Sequence, residues 1–148
     1  MGQGDTMVSP YQMLLITQAI ANDGTLMEPY LVDSVTNYTG AEVSRNVPKS
    51  TGRLITSEEA AQLRDYMSAV VSEGTGSVLS DRSYTVAGKT GTAQYSTSDS
   101  ERSHSWFTGF TDIDDPDLVI TVVTEGSDGS RSGRAVSIAG EILDSYYD

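Results

Sequence analysis

Cysteine is absent from the sequence, which excludes disulfide bonds and thiolate metal sites but leaves the cellular compartment open. Basic residues are scarce: nine lysines and arginines stand against 21 aspartates and glutamates, and the net charge is −12. Because nucleic-acid binding relies on clustered lysine and arginine, and no such cluster occurs, we expect no nucleic-acid partner. The acidic residues are dispersed along the chain, which indicates a solvated surface that aids solubility.

Long apolar runs are also missing. No stretch approaches the ~18 consecutive apolar residues of a membrane span, and residues 1–5 lack signal-peptide character. We therefore expect no membrane contact from this segment. If the protein works outside the cell, its targeting segment lies upstream of residue 1. At 148 residues, the chain has the length of one ordinary domain.

Capping signals predict two helices. The first begins at the Ser-Pro pair 9–10 and runs to about Ala21, since proline suits the first helical turn and a glycine follows at position 24. This helix is apolar nearly all round, so it should be buried, and a chain this short has little with which to surround it. The second helix follows the capping box Thr56–Glu59 and ends at the Gly-Thr-Gly tripeptide 74–76.

Three strand candidates follow the second helix. They cover Tyr84–Gln94, His104–Thr111 and Leu118–Thr124. The tight turn Asp114–Asp117 should join the last two as an antiparallel hairpin.

Two further predictions concern the rest of the chain. Pro29–Val35 is predicted as a strand, and the polar stretch 36–52 after it is weakly patterned. A C-terminal helix is predicted from apolar residues that share one of its faces: Ala135, Ile138, Ala139, Ile142 and Tyr146.

The tetrapeptide Lys89-Thr90-Gly91-Thr92 lies on the first of the three strands. Its lysine fixes a positive charge beside exposed backbone, and Gly91 lets another chain approach that backbone closely. Because side chains alternate along a strand, Thr90 and Thr92 point to the same face. Lysine and hydroxyl donors on a cleft-lining strand suit a terminal carboxylate, bound by charge-assisted hydrogen bonds. Taken alone, Lys-Thr-Gly also recurs by chance.

A nucleotide-binding interpretation of Gly88-Lys89-Thr90 is disfavoured. A phosphate-binding P-loop needs a glycine five residues before Gly88, where Ser83 stands. It also needs a helix immediately after the threonine, and the Gly-Thr-Ala-Gln run at 91–94 is a poor helix start.

Several motifs, in order along the chain, resemble the transpeptidase domain of penicillin-binding proteins. Lys89–Thr92 resembles the third active-site motif of that family. The tripeptide 74–76 resembles its Gly-Thr-Ala element. The runs 2–4, 8–12 and 19–24 resemble the segment after its second motif, and 104–110 with Asp115-Pro116 resembles the later strand and turn. The pattern is more similar to class B, monofunctional transpeptidases than to a β-lactamase.

The resemblance implies an α+β fold, the α/β half of the fold shared by penicillin-binding transpeptidases and serine β-lactamases. We expect an antiparallel sheet of about three strands with packed helices. Residues 1–148 would form the C-terminal part of one transpeptidase domain, which is therefore incomplete. Two N-terminal strands of the family sheet are not in this sequence, so the first strand is expected to lack a neighbour. An exposed edge of this kind favours pairing with another chain, and we expect a homodimer or a rearranged packing.

Two of the family's three catalytic motifs are not found. The nucleophile of the family is a serine three residues before a lysine, but the residues at that spacing are Val86 before Lys89 and Asn46 before Lys49. The match to Ser-x-Asn at 44–46 comes after the Gly-Gln-Gly run rather than before it, so we interpret it as a coincidence in a loop. Both motifs are expected upstream, and this chain is expected to be inactive alone.

By resemblance, the intact domain would cross-link D-Ala-D-Ala stem peptides of peptidoglycan through a serine acyl-enzyme, and β-lactams would stop at the acyl stage. Lys89 would hold a positive field over the substrate carboxylate, and Thr90 and Thr92 would hydrogen-bond it. Gly91 would let the substrate lie along the strand. The backbone N–H of Thr92 would supply half of the oxyanion hole. No metal or other cofactor is implied.

The resemblance also implies a location on the extracytoplasmic face of the bacterial plasma membrane, with an upstream anchor. Two alternatives stay open. The chain could be a non-catalytic binding or interaction module on the same scaffold, or it could belong to a β-lactam sensor, which shares the Lys-Thr-Gly element.

Overall fold

A computed structural model describes residues 6–94, 103–126 and 133–148 of the chain. The helices in these ranges are α1 (Pro10–Ala21), α2 (Ser57–Ser72) and α3 (Arg134–Tyr147), with a short 3-10 helix at Ser77–Leu79. The strands are β1 (Thr25–Met27), β2 (Ser34–Thr36), β3 (Glu42–Arg45), β4 (Ser50–Arg53), β5 (Val86–Gln94), β6 (Ser103–Thr111) and β7 (Val119–Thr124). None of these helices is long and apolar enough to cross a membrane.

Strands β5, β6 and β7 form one antiparallel sheet in that order, which confirms the predicted three-stranded sheet and the hairpin between its last two strands. The register of β5 on β6 is unbroken, from Val86 opposite Thr111 to Gln94 opposite Ser103. Within the described ranges, β5 and β7 each pair only with β6 and are therefore the two edges. Dimerisation through such an edge stays a prediction.

Both predicted helix starts are confirmed. At α1, the Ser9 hydroxyl accepts the Gln12 N–H at 3.2 Å, and the Gln12 side chain accepts the Ser9 N–H at 2.9 Å. At α2, Thr56 and Glu59 exchange the same pair of bonds, at 3.2 and 2.8 Å. The bond from the Thr56 backbone, followed by that from its side chain, holds the pKa of the Glu59 carboxyl below its ordinary value.

Helix α1 is only partly buried, whereas its apolar sequence predicts burial all round. Thr17 and Ala21 face the main sheet: the Thr17 hydroxyl lies 2.6 Å from that of Thr108 on β6, and Ala21 packs with Ala87 and Phe110. Ile16 is 46% exposed. The main sheet, α2 and β1 all contact the helix, and part of its circumference, at Tyr11 and Ile16, stays open to solvent.

The predicted strand Pro29–Val35 is wrong over most of its length. Residues 28–33 are not in a strand, and β2 begins only at Ser34. The stretch 36–52, which carries little apolar pattern, instead contributes β3 and β4, and every residue of both strands is exposed. These strands pair with β2 and β1 in two small sheets separate from β5. The Ser-x-Asn match at 44–46 thus begins on β3, not in a loop, and outside the main sheet.

Helices α1 and α3 lie on opposite faces of the main sheet. Thr108, which contacts α1, and Ser105, whose hydroxyl accepts the N–H of Ala135 at the start of α3, are an odd number of residues apart on β6. The face predicted for the C-terminal helix is only partly buried, since Ile142 is 47% and Tyr146 57% exposed. The buried residues of α3 are Ala135, Val136, Ala139, Gly140 and Leu143.

An ion pair ties α3 to the segment that leads into β5. The Arg82 Nε lies 2.7 Å from the Asp144 carboxylate, which also accepts a hydrogen bond of 2.6 Å from the Tyr84 hydroxyl. Burial and then this bond raise the pKa of Tyr84 to about 12, while the Arg82 bond lowers that of Asp144. A β-carbon on Gly140 would lie 2.6 Å from the Arg82 guanidinium, so glycine makes room for the pair.

Candidate functional site

Strand β5 changes character midway along its length. Val86, Ala87 and Gly88 are buried, and the residues after them rise to the surface. Lys89 is exposed, the next two residues are half-buried, and Thr92 is exposed. The buried first third, continuous with the core, therefore anchors the strand that carries the predicted tetrapeptide.

A pair of glycines brings β5 close to β6 at the start of that tetrapeptide. Gly88 stands directly opposite Gly109, and the fully buried ring of Phe107 packs beside them. A β-carbon on Gly88 would lie 2.5 Å from the Phe107 Cζ atom, and one on Gly109 would lie 2.5 Å from the Ala87 carbonyl oxygen. Only hydrogen fits at either position without movement, so the two glycines and the ring fix the backbone next to Lys89.

The four predicted site residues are divided between the two faces of the sheet. Thr90 and Thr92 share one face, as the alternation predicts, and Lys89 and Gly91 share the other. The Lys89 ammonium donates a hydrogen bond of 2.6 Å to the Thr90 carbonyl oxygen. A β-carbon on Gly91 would approach the Trp106 Cβ atom to 3.2 Å, so the glycine both fits beside the tryptophan and leaves the surface next to Lys89 uncovered.

A fifth residue contacts the site from the end of α2. The Thr75 hydroxyl lies 2.6 Å from the Thr90 hydroxyl, which makes a direct hydrogen bond between the Gly-Thr-Gly tripeptide and the tetrapeptide. From the sequence, the tripeptide is predicted only as the end of a helix and as an element shared with the family. Helical and strand periodicities report local structure, so they carry no signal for this contact across 15 positions.

Two open clefts, of about 560 and 620 Å³, lie elsewhere on the molecule, beside the turn between β6 and β7. Asp115, Pro116 and Asp117 line both clefts, and none of the residues 89–92 lines either. The tetrapeptide therefore lies on an open surface of β5, and neither of these two clefts encloses it.

The P-loop interpretation is wrong, because β5 continues as a strand through Gln94 where a P-loop requires a helix. The predicted Gly-Gln-Gly run at 2–4 lies outside the described residues.

Comparisons with known proteins point to one family. The family of the penicillin binding protein transpeptidase domain matches residues 1–144. The chain is 31% identical over 144 residues to the peptidoglycan D,D-transpeptidase PbpA of Mycolicibacterium smegmatis, and the match covers 95% of this chain and 29% of that protein.

Two solved structures share the fold. The D,D-transpeptidase domain of a peptidoglycan glycosyltransferase from Eggerthella lenta is 33% identical with a TM-score of 0.81, over 94% of this chain and 32% of that one. Penicillin-binding protein A of M. tuberculosis, solved as an imipenem acyl-enzyme complex, is 27% identical with a TM-score of 0.82, over 99% of this chain and 32% of that one. The predicted α+β fold is confirmed.

The chain spans less than a third of the length of each of these three proteins. Within that share, the family match runs from residue 1 to 144 and includes both the tripeptide at 74–76 and the tetrapeptide at 89–92. The chain therefore belongs to the penicillin-binding protein transpeptidase domain family.

Proposed function

We propose that β5 is the carboxylate-binding wall of a peptidoglycan D,D-transpeptidase active site of class B type. Its ligands would be the D-Ala-D-Ala ends of stem peptides and β-lactams. The observation that carries the proposal is an exposed ammonium and two hydroxyls on a rigid edge strand, at Lys89, Thr90 and Thr92. The relatives support it, since the M. smegmatis protein is named a D,D-transpeptidase and the M. tuberculosis protein forms an imipenem acyl-enzyme.

The division of the site between two faces favours a ligand at the outer edge of β5. A carboxylate lying over one face would meet either the lysine or the threonines, but a carboxylate beside the edge can meet both. This edge has no neighbouring strand among the described residues. A ligand that lies along an edge strand can also use the backbone groups that point away from the paired neighbour. Gly91 leaves room for such an approach.

The charge of Lys89 matters because the rest of the chain is acidic. The net charge of −12 opposes the arrival of an anion, and Lys89 is one of only two lysines. At physiological salt the Debye length is about 8 Å, so dispersed surface carboxylates are largely screened while an ammonium in contact is not. We infer that Lys89 supplies the local positive field, and that Thr90 and Thr92 orient the carboxylate through hydrogen bonds.

The chemical step proposed for this site needs a nucleophile and an oxyanion hole. A serine hydroxyl would attack the penultimate D-Ala carbonyl and pass its proton to a base. The base would give that proton to the leaving nitrogen, and the terminal D-Ala would depart as a free amine. The amine of a second stem peptide would then displace the serine and restore its hydroxyl. We assign one oxyanion donor to the backbone N–H of Thr92; a single such donor is worth roughly 10²–10³ in rate.

The serine itself is proposed to come from another part of the protein. None of the serines in the 148 residues stands three positions before a lysine. A serine hydroxyl is a weak nucleophile without a base within hydrogen-bond reach. We infer that this chain, by itself, is not acylated. We further infer that the working domain lies on the extracytoplasmic side of the plasma membrane, held by an anchor upstream.

Labelling with a fluorescent penicillin tests this proposal. The 148-residue chain should form no stable covalent adduct, whereas the full gene product, including any residues that precede Met1, should form one that excess unlabelled penicillin prevents. Gel fluorescence after denaturation measures both. An adduct on the 148-residue chain would contradict the assignment of the nucleophile to another segment. Absence of an adduct on the full gene product would contradict the proposed activity.

A further inference from the structure

We propose that Thr75 is a positioning residue of the carboxylate site, which deepens the proposed function and rests on it. Its hydroxyl lies 2.6 Å from that of Thr90, a half-buried residue of the tetrapeptide. Thr75 is not on the strand that would touch the ligand, so it acts through Thr90. The Gly-Thr-Gly tripeptide would thereby orient a binding group as well as end a helix.

The backbone around Thr75 holds its side chain in place. The Gly76 N–H donates to the Val70 carbonyl at 2.9 Å, and the Ser77 N–H donates to the Gly74 carbonyl at 3.2 Å. A β-carbon on Gly74 would lie 2.9 Å from the same Val70 oxygen, so the loop folds tightly onto the last turn of α2. Helix α2 packs in turn on β5, and its Val71 lies in the core with Val86 and Phe107. Thr75 and Thr90 are therefore presented to each other by two packed elements.

A bound carboxylate would fix the direction of this hydrogen bond. A hydroxyl has one proton to donate and can accept at its lone pairs. If the Thr90 hydroxyl donates to a carboxylate, its oxygen can only accept from Thr75, which then serves as the donor. A donor chain of this kind polarises its second bond and strengthens it. Without Thr75, the Thr90 hydroxyl would have no such partner to hold its rotamer, and part of its binding contribution would be lost to reorientation.

The test uses the full gene product and measures the second-order rate constant of acylation by a penicillin. Thr75→Val removes the hydroxyl and keeps the shape of the side chain, and the exposure of Thr75 makes it tolerable to the fold. We expect a loss of about tenfold, the upper end of what a hydrogen bond between neutral groups contributes. Thr75→Ser should restore the rate to within about twofold of wild type. Thr51→Val is the matched control, because it removes an exposed hydroxyl that bonds the Leu26 carbonyl on another sheet.

A second readout separates positioning from a general structural effect. The same variants are assayed with the penicillin methyl ester, which lacks the charged carboxylate. We expect the ratio of the two rate constants, acid over ester, to fall in Thr75→Val and to return in Thr75→Ser. This ratio does not depend on the folded fraction, since both ligands meet the same preparation. A Thr75→Val ratio equal to wild type would overturn the role of Thr75 alone, whereas a wild-type protein that no penicillin acylates would overturn the proposed function and this inference with it.

Discussion

Replacing Lys89 with alanine is expected to lower the acylation rate constant of the full gene product by at least about a hundredfold, which corresponds to about 2.7 kcal/mol. The substitution removes the ammonium and leaves the ligand carboxylate desolvated beside an acidic protein of net charge −12. Bonds between charged groups contribute more than neutral ones, and an unpaired charge adds its own penalty. Stopped-flow or gel-based acylation with a fluorescent penicillin measures the rate.

The control for this prediction is built into the sequence, because Lys49 is the only other lysine. Lys49 is exposed and directly precedes β4, a strand that belongs to a different sheet from β5. Lys49→Ala changes net charge by the same amount and should leave acylation unchanged. Lys89 is exposed too, so neither variant should alter the melting temperature appreciably. Equal acylation rate constants for Lys89→Ala and Lys49→Ala would mean that Lys89 contributes no more than any other positive surface charge. That result would refute its assignment to the carboxylate.

What could be predicted from the sequence was local. Capping boxes at Ser9 and Thr56 fix helix starts through bonds across three residues, and both helices begin where those signals predict. Strands β6 and β7 were predictable because aromatic and β-branched residues concentrate there and turn residues separate them. The tetrapeptide was identifiable because its neighbours along the chain are in family order.

Long-range contacts set the limits of prediction. The contact between Thr75 and Thr90 depends on how α2 packs on β5, and no local period encodes that packing. The buried face of α3 is another case. Apolarity alone selects Ile142, which is 47% exposed, whereas Gly140 is buried beside the Arg82 side chain that reaches Asp144.

The wrong strand at 29–35 has a similar cause. Apolar, β-branched composition favours extended structure, yet a strand needs a partner whose hydrogen-bonding groups face it. The neighbouring segment bonds the backbone only at the two ends of this stretch, where the Glu28 N–H donates to the Lys49 carbonyl and the Asp33 carbonyl accepts from the Asn46 N–H. Residues 29–32 between them are in no ladder, and Leu31 and Val32 are exposed. The pairing that does form is set by the turn between β2 and β3, where the Asn37 side chain accepts the N–H groups of Thr39 and Ala41.

Replacing Gly88 with alanine is expected to destabilise the fold by about 3 kcal/mol, the upper part of the range for overpacking a core. The new methyl group would lie 2.5 Å from the Phe107 Cζ atom and 2.9 Å from the Thr108 carbonyl oxygen. The ring is fully buried and the carbonyl belongs to the β6 ladder, so neither can move without loss. Urea denaturation measures the change in unfolding free energy.

Gly91→Ala is the matched comparison, because it makes the same change on the same strand. Its methyl group would come no closer than 3.2 Å to the Trp106 Cβ atom, so a small shift of the two strands relieves the contact. We expect a change within about 1 kcal/mol, since alanine also relieves the entropic penalty of glycine in a strand. If Gly88→Ala proved no more destabilising than Gly91→Ala, the ring of Phe107 would not be what fixes this backbone.

A double mutant tests the same contact. Phe107→Leu should destabilise the wild-type protein but recover part of the stability lost in Gly88→Ala. Such non-additivity is expected only if the two groups occupy the same space. The glycine that lets β5 approach β6 would then be the reason that Lys89, its neighbour, is held at a fixed place on the edge.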